Sequence, residues 1–134
     1  FTTEVKSYKK AFTQNPIIEH NVIQGNVIHI DHFGNIITNI FKHDFERFGV
    51  DIPFTISYQK RNYDIDIISR AYNDVTISER VAIFNDAGRL EIAINRGANG
   101  GNGGADRLFG MRLGEPVRIT FYPKGSVRNL DALL

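Results

Sequence analysis

The 134-residue chain reads as a small all-β barrel of short strands with one short helix. Three observations predict this. Apolar residues recur mostly with period two, the spacing of a half-buried strand. Turn-forming residues interrupt these runs often enough to leave six to eight short strands, the pattern of a sandwich or small barrel. Helical spacing of large apolar residues occurs once, at Phe41, Phe45 and Phe48.

Residues 22–31 form the first strand, with Val22, Ile23, Val27, Ile28 and Ile30 as its apolar set. Gly25 interrupts it, and a glycine inside a strand marks a bend or bulge such as a barrel corner. The tetrad His32-Phe33-Gly34-Asn35 is a turn, and a second strand follows over residues 36–40. Residues 42–48 predict the helix, its phenylalanines packed on the barrel and Gly49 at the C-cap. Phe54-Thr55-Ile56-Ser57-Tyr58 and Tyr63-Asp64-Ile65-Asp66-Ile67 both alternate, joined by a turn at Lys60-Arg61-Asn62. Three more strands fall at residues 81–84, 90–94 and 117–121. Asn85-Asp86-Ala87-Gly88 joins the first two of these, because Asn and Asp side chains bond to nearby backbone and Gly tolerates positive φ. Leu113-Gly114-Glu115-Pro116 breaks the chain before the last strand.

Bulk composition narrows the function classes. Sixteen basic and fifteen acidic residues leave a net charge of +1 with no charged block, which gives no support for a nucleic-acid partner. Cysteine is absent, removing disulfides, thiolate catalysis and cysteine zinc sites. No apolar run reaches the roughly 18 residues of a membrane helix. No signal peptide is visible, and the expected location is cytoplasmic. The polar stretch and Asn15-Pro16 make residues 1–21 a tail or linker from a missing domain, residues 22–123 the barrel, and residues 124–134 a C-terminal tail.

Local chemistry is sparse. His29 and Asp31 share a strand face near His32, but no third or fourth ligand follows at metal spacing, so no metal is expected. No Gly-x-Ser-x-Gly elbow surrounds Ser7, Ser57, Ser69, Ser78 or Ser126. Asp64 and Asp66 read as the solvated face of a strand. Residues 97–105 hold five glycines in nine positions, either a mobile connector or a loop whose amides approach a ligand. Phe33 and Asn35 can together offer an aromatic surface and a carboxamide to a planar purine.

Two segments carry a resemblance. Gly25-x-Val27-Ile28-x-Ile30-Asp31-x-Phe33-Gly34-Asn35-Ile36-Ile37-Thr38-Asn39-Ile40 is followed by Asn85-Asp86-x-Gly88-x-Leu90-Glu91-Ile92-Ala93, with Tyr72-Asn73-Asp74-Val75 between them. Together they resemble the C-terminal domain of the S-adenosyl-L-methionine hydroxide adenosyltransferase family, which also contains fluorinases and chlorinases. The resemblance covers roughly residues 22–122.

It implies an N-terminal α/β domain, a C-terminal barrel and a homotrimer. The substrate, S-adenosyl-L-methionine, would lie between one subunit's N-terminal domain and its neighbour's barrel. In the hydrolase branch, water or hydroxide attacks the 5′ carbon and gives adenosine and L-methionine, with no cofactor. The residues that orient the water belong to the N-terminal domain, so no catalytic residue is expected in this chain. By motif position Phe33, Asn35 and Tyr72 would surround the adenine, with Glu91 in the strand beside it. Asp86 stands at the family's methionine-contacting Ser, and Asn85 and Asn95 complete the substrate-binding set. Two departures, at Asp86 and the Gly-rich run, and one branch marker, Ala87, follow. Asp86 adds a negative charge where the methionine carboxylate would sit. Ala87 stands where halogenases carry Arg, which favours hydroxide over halide. The Gly-rich run is longer than the family's turn. The alternative is a non-catalytic barrel that binds a nucleoside or a protein edge.

Overall fold

The computed structural model describes residues 15–49, 51–59, 63–71, 75, 79–97, 101–102, 104–105 and 109–123. Among the described residues, eight strands and one complete helix follow in order: β1 (Ile17–Glu19), β2 (Val22–Ile30), β3 (Ile36–Phe41), α1 (Lys42–Glu46), β4 (Phe54–Ser57), β5 (Arg80–Phe84), β6 (Arg89–Gly97), β7 (Gly101–Asn102) and β8 (Pro116–Phe121). All pairings are antiparallel. The sheet runs β4-β8-β2-β3-β6-β5, with β1 added to β2 and β7 to β6. β8, the last of the described strands, inserts between β4 and β2. The result is a curled sheet, as the all-β reading predicts.

Residues 65–69 run between the two ends of this sheet. Ile65 exchanges both backbone bonds with Ile56 of β4, at 2.6 and 3.0 Å, and the Ser69 N–H donates to Ala82 O of β5 at 2.8 Å. This short seam bonds to both edge strands. The alternating Tyr63–Ile67 stretch is therefore no full strand: Ile65 alone forms a ladder bridge. Asp66 is exposed as expected, but Asp64 is half-buried.

The bend at Gly25 has a direct cause. Upstream, β2 pairs with β1 through Val22, Ile23 and Gln24; downstream, it pairs with β3 from Val27 onward. A Cβ at Gly25 would fall against Asn39 Oδ1 and 2.6 Å from Ile40 Cγ1. The space lets Asn39 Oδ1 accept from the Asn26 N–H at 2.8 Å. A second irregularity lies in β3, between Ile37 and Phe41. There the Thr38 hydroxyl donates to Leu90 O at 3.0 Å and accepts from the Ile40 N–H at 3.2 Å. Thr38 and Asn39 thus serve the curvature of the sheet, satisfying backbone groups that the interrupted ladder leaves over.

The inner face is aliphatic and aromatic. Ile23, Val27, Ile36, Ile40, Ile56, Leu90, Ile92, Val117 and Ile119 are fully buried. α1 ends two residues before its sequence-based limit, at Glu46, and Gly49 follows with φ +108°. Phe45 and Phe48 pack as expected: Phe48 stacks on buried Phe121 at 4.1 Å between centroids, and Phe45 lies 5.1 Å from the same ring. Phe41 instead stands at the N-cap, between the His43 ring and the Arg89 guanidinium. Tyr58 is also buried; its hydroxyl has no partner among the described residues, and desolvation pushes its ionisation well above the usual tyrosine range.

β1 lies within the stretch expected as a linker, so the sheet takes in residues 17–19. Residues 1–14 and 124–134 lie outside the described residues.

Candidate functional site

The turn before β3 is built by one carboxylate. Asp31 and Asn35 close a hairpin with a three-residue loop: the Asp31 N–H donates to Asn35 O at 3.1 Å, and the Gly34 N–H to Asp31 O at 2.9 Å. Gly34 has φ +84°, the left-handed position that this loop type requires. Asp31 Oδ1 accepts from the Phe33 and Asn35 N–H groups, both at 2.9 Å. Asp31 Oδ2 accepts from Asn35 Nδ2 at 3.0 Å. The aspartate thereby rigidifies five residues.

That rigid loop divides its two predicted ligand groups. Phe33 is 64% exposed, an unusual position for a large apolar ring, with His32 edge-on at 5.4 Å. Asn35 is only 2% exposed. Its amide nitrogen is directed at Asp31, and its Oδ1 is buried with no hydrogen-bond partner among the described residues. The Gly104 N–H donates to Phe33 O at 2.8 Å, so the Gly-rich segment returns to this turn. Asn95 lies at the same end of the sheet. It pairs with Asn102 and donates from Nδ2 to Val75 O at 2.9 Å.

The other predicted residues start from the opposite end. β3 and β6 are antiparallel, so the β5–β6 turn lies beside Phe41 rather than beside Phe33. Along β6 six residues separate Arg89 from Asn95, about 20 Å at the rise of an extended strand. In this second turn Asn85 Oδ1 accepts from the Ala87 and Arg89 N–H groups at 3.1 and 3.0 Å. Asn85 Nδ2 donates to Glu91 Oε1 at 3.1 Å. Asp86 is exposed at the tip. Glu91 and Asn95 share one face of β6 and are 4% and 5% exposed, beside a small outer cluster of Val81, Ile83, Ala93 and Val75. Asn85, Glu91 and Asn95 therefore form a stripe along the outer face of the sheet. Tyr72 lies outside the described residues.

A cavity of about 520 Å3 opens between the seam and β5, lined in part by Asp64, Asp66, Ser69, Glu79 and Arg80. None of the predicted site residues that the structure describes lines it. No group of three potential metal ligands occurs among the described residues. No helix among them is long and apolar enough to cross a membrane.

The family model of the SAM hydroxide adenosyltransferase C-terminal domain matches residues 25–118. The chain belongs to this family. Both motif turns, at Asp31–Asn35 and Asn85–Arg89, fall inside the matched span. Among solved structures, it is similar to an uncharacterized conserved protein from Thermotoga maritima, with TM-score 0.65 and 26% identity over 81% of this chain and 39% of that one. It is also similar to a conserved hypothetical protein from Thermus thermophilus, with TM-score 0.55 and 26% identity over 79% of this chain and 37% of that one. The chain thus spans less than two-fifths of the length of either structure. Comparison with curated proteins finds no match.

Within this SAM hydroxide adenosyltransferase domain, the residue that sequence reasoning left out of the site is Asp31. It was read as a neighbour of two histidines and as a position of the first motif, without a role. The available signal was a spacing: Asp31-x-x-Gly34 repeats as Asn85-x-x-Gly88, and both build the same loop.

Proposed function

We propose that this chain is the adenosine-capping C-terminal domain of an S-adenosyl-L-methionine hydrolase, in which water or hydroxide attacks the 5′ carbon to give adenosine and L-methionine. The observation that supports it best is the Asp31–Asn35 turn within a matched family span. It sets an exposed aromatic ring beside a buried carboxamide whose oxygen has no partner among the described residues. Phe33 offers a face for a purine ring, and Asn35 offers an acceptor for one of its edge N–H groups.

On this reading the barrel positions the nucleoside and keeps water from one side of it. Desolvation and alignment of the attacking oxygen are then supplied jointly with the N-terminal domain of a neighbouring subunit in a homotrimer. The sulfonium leaves as a neutral thioether and needs no proton, so the reaction asks for no general acid from the barrel. Ala87 at the position of the halogenase Arg supports hydroxide over halide. The chain alone carries no catalytic residue, and its isolated form is inactive.

The test is a calorimetric titration of the full-length protein with adenosine and with S-adenosyl-L-methionine, with product analysis of the same mixtures. Adenosine and methionine formed in equal amounts support the hydrolase. Adenosine binding without turnover would leave a nucleoside-binding barrel, and the absence of any binding would remove the nucleoside reading.

A further inference from the structure

No residue of either motif turn lines the cavity between the seam and β5. Two ties join its walls. At one, the Ser69 N–H donates to Ala82 O. At the other, Arg80, the first residue of β5, donates from Nε and Nη2 to Asp64 O at 3.4 and 3.2 Å. Ser69, Asp64 and Arg80 all line the cavity. Its volume, about 520 Å3, falls within the range of small-molecule pockets, about 300–1,000 Å3.

Arg80 is half-buried and shares the cavity wall with three acidic residues, Asp64, Asp66 and Glu79. None of their carboxylates forms an ion pair with it. A guanidinium carries five N–H donors in a planar fork. The Asp64 carbonyl takes one from Nε and one from Nη2, which fixes the plane of that fork. The end-on pair, one N–H on each Nη, is left without a partner among the described residues. It is the pair that a carboxylate matches with two parallel bonds.

The charges around it narrow the ligand. A simple anion at Arg80 meets the field of the acidic residues, and a simple cation meets that of the guanidinium. A ligand with both charges a few atoms apart satisfies the two sides at once. A carboxylate offers about four acceptor positions, so other partners of Asp66 and Glu79 leave room for an ammonium. The wall also has an apolar part, with Val75 and an Ile67 that is 65% exposed.

We infer that this cavity is a further ligand site, for an α-amino acid with an apolar side chain. Arg80 takes the carboxylate, Asp66 and Glu79 take the ammonium, and Ile67 and Val75 cover the side chain. The inference stands apart from the nucleoside reading.

Titration of the full-length protein with L-leucine, L-leucinol and 4-methylpentanoate tests it. The three share an apolar body; L-leucinol lacks the carboxylate and 4-methylpentanoate lacks the ammonium. The wild type binds L-leucine about 10- to 100-fold more tightly than either. In Arg80→Gln, L-leucine weakens at least about tenfold, to the level of L-leucinol, while L-leucinol binds no worse than before. In Glu79→Gln, the ratio of L-leucine to 4-methylpentanoate affinity falls severalfold. No binding of L-leucine by the wild type overturns the inference. L-leucinol held as tightly as L-leucine overturns it too, because the cavity then attracts cations only. L-leucine affinity unchanged in Arg80→Gln places the amino acid elsewhere and overturns it as well. If Arg80→Gln fails to fold, the wild-type comparison and Glu79→Gln decide the matter, and unchanged ratios in the latter overturn the inference.

Discussion

The two motif turns share one backbone design and differ in what they carry. In each, an Asx side-chain oxygen accepts from the N–H groups two and four residues on, a glycine at the fourth position has φ near +80°, and the first N–H returns to the fifth carbonyl. The first turn has an exposed aromatic at its third position and a buried carboxamide at its fifth. The second has Ala87 and Arg89 there. Asp31 then spends its spare oxygen inside its own loop, while Asn85 uses its spare NH2 to hold Glu91 on the adjoining strand. One loop is closed upon itself and orients its own carboxamide. The other is tied to the sheet and organises the sheet.

This contrast can be broken by mutation. The largest effect is expected at Asp31→Ala, which strips three donors of their acceptor, one of them on a side chain only 2% exposed. It should lower stability by about 2–3 kcal/mol, measured by urea unfolding. Asn85→Ala frees an Ala87 N–H at an exposed tip, where water can replace the lost oxygen, and takes one donor from the buried Glu91; it should cost about 1–2 kcal/mol. Equal losses in the two variants would mean that the turns are equivalent after all. Gly88→Ala should cost about 1–2 kcal/mol through left-handed backbone strain alone, since the nearest side-chain atom to an added Cβ, Phe41 Cδ1, is 3.9 Å away. Asp86→Ser is expected within about 0.5 kcal/mol of wild type in stability, because the side chain is exposed. It should instead strengthen L-methionine binding by the full-length protein, measured calorimetrically, because it removes a like charge. Unchanged methionine affinity would detach this turn from the methionine end of the substrate.

Much of the barrel was legible because its strands obey a simple alternation. β4, β6 and β8 fall where period-two runs lie, β2, β3 and β5 where apolar runs are bounded by turn residues, and Gly25 marked the bend. β1 was hidden because three residues cannot establish a period. Tyr63–Ile67 misled for the opposite reason: five alternating residues satisfy the pattern, yet only Ile65 finds backbone partners on β4. Glu91 and Asn95 show the limit of alternation at the site. They lie opposite the apolar positions of β6 as the period requires, yet both are buried, with Val75 packed on Ala93 between them and its carbonyl accepting from Asn95 Nδ2. Asp31 was missed because its importance depends on which atoms meet within a folded loop. Residue spacing names the loop type, but not the direction in which an amide two positions beyond the exposed ring will point.

The seam at residues 65–69 has a consequence for how this domain behaves among copies of itself. An open antiparallel sheet ends in strands whose unpaired N–H and C=O groups can recruit further strands and seed aggregates. Here Ile65 occupies the bonding positions of Ile56 on β4, and Ser69 takes up Ala82 O on β5. A few residues with too little pairing to count as a strand thus blunt the β4 and β5 edges, so that strand addition there must first displace them.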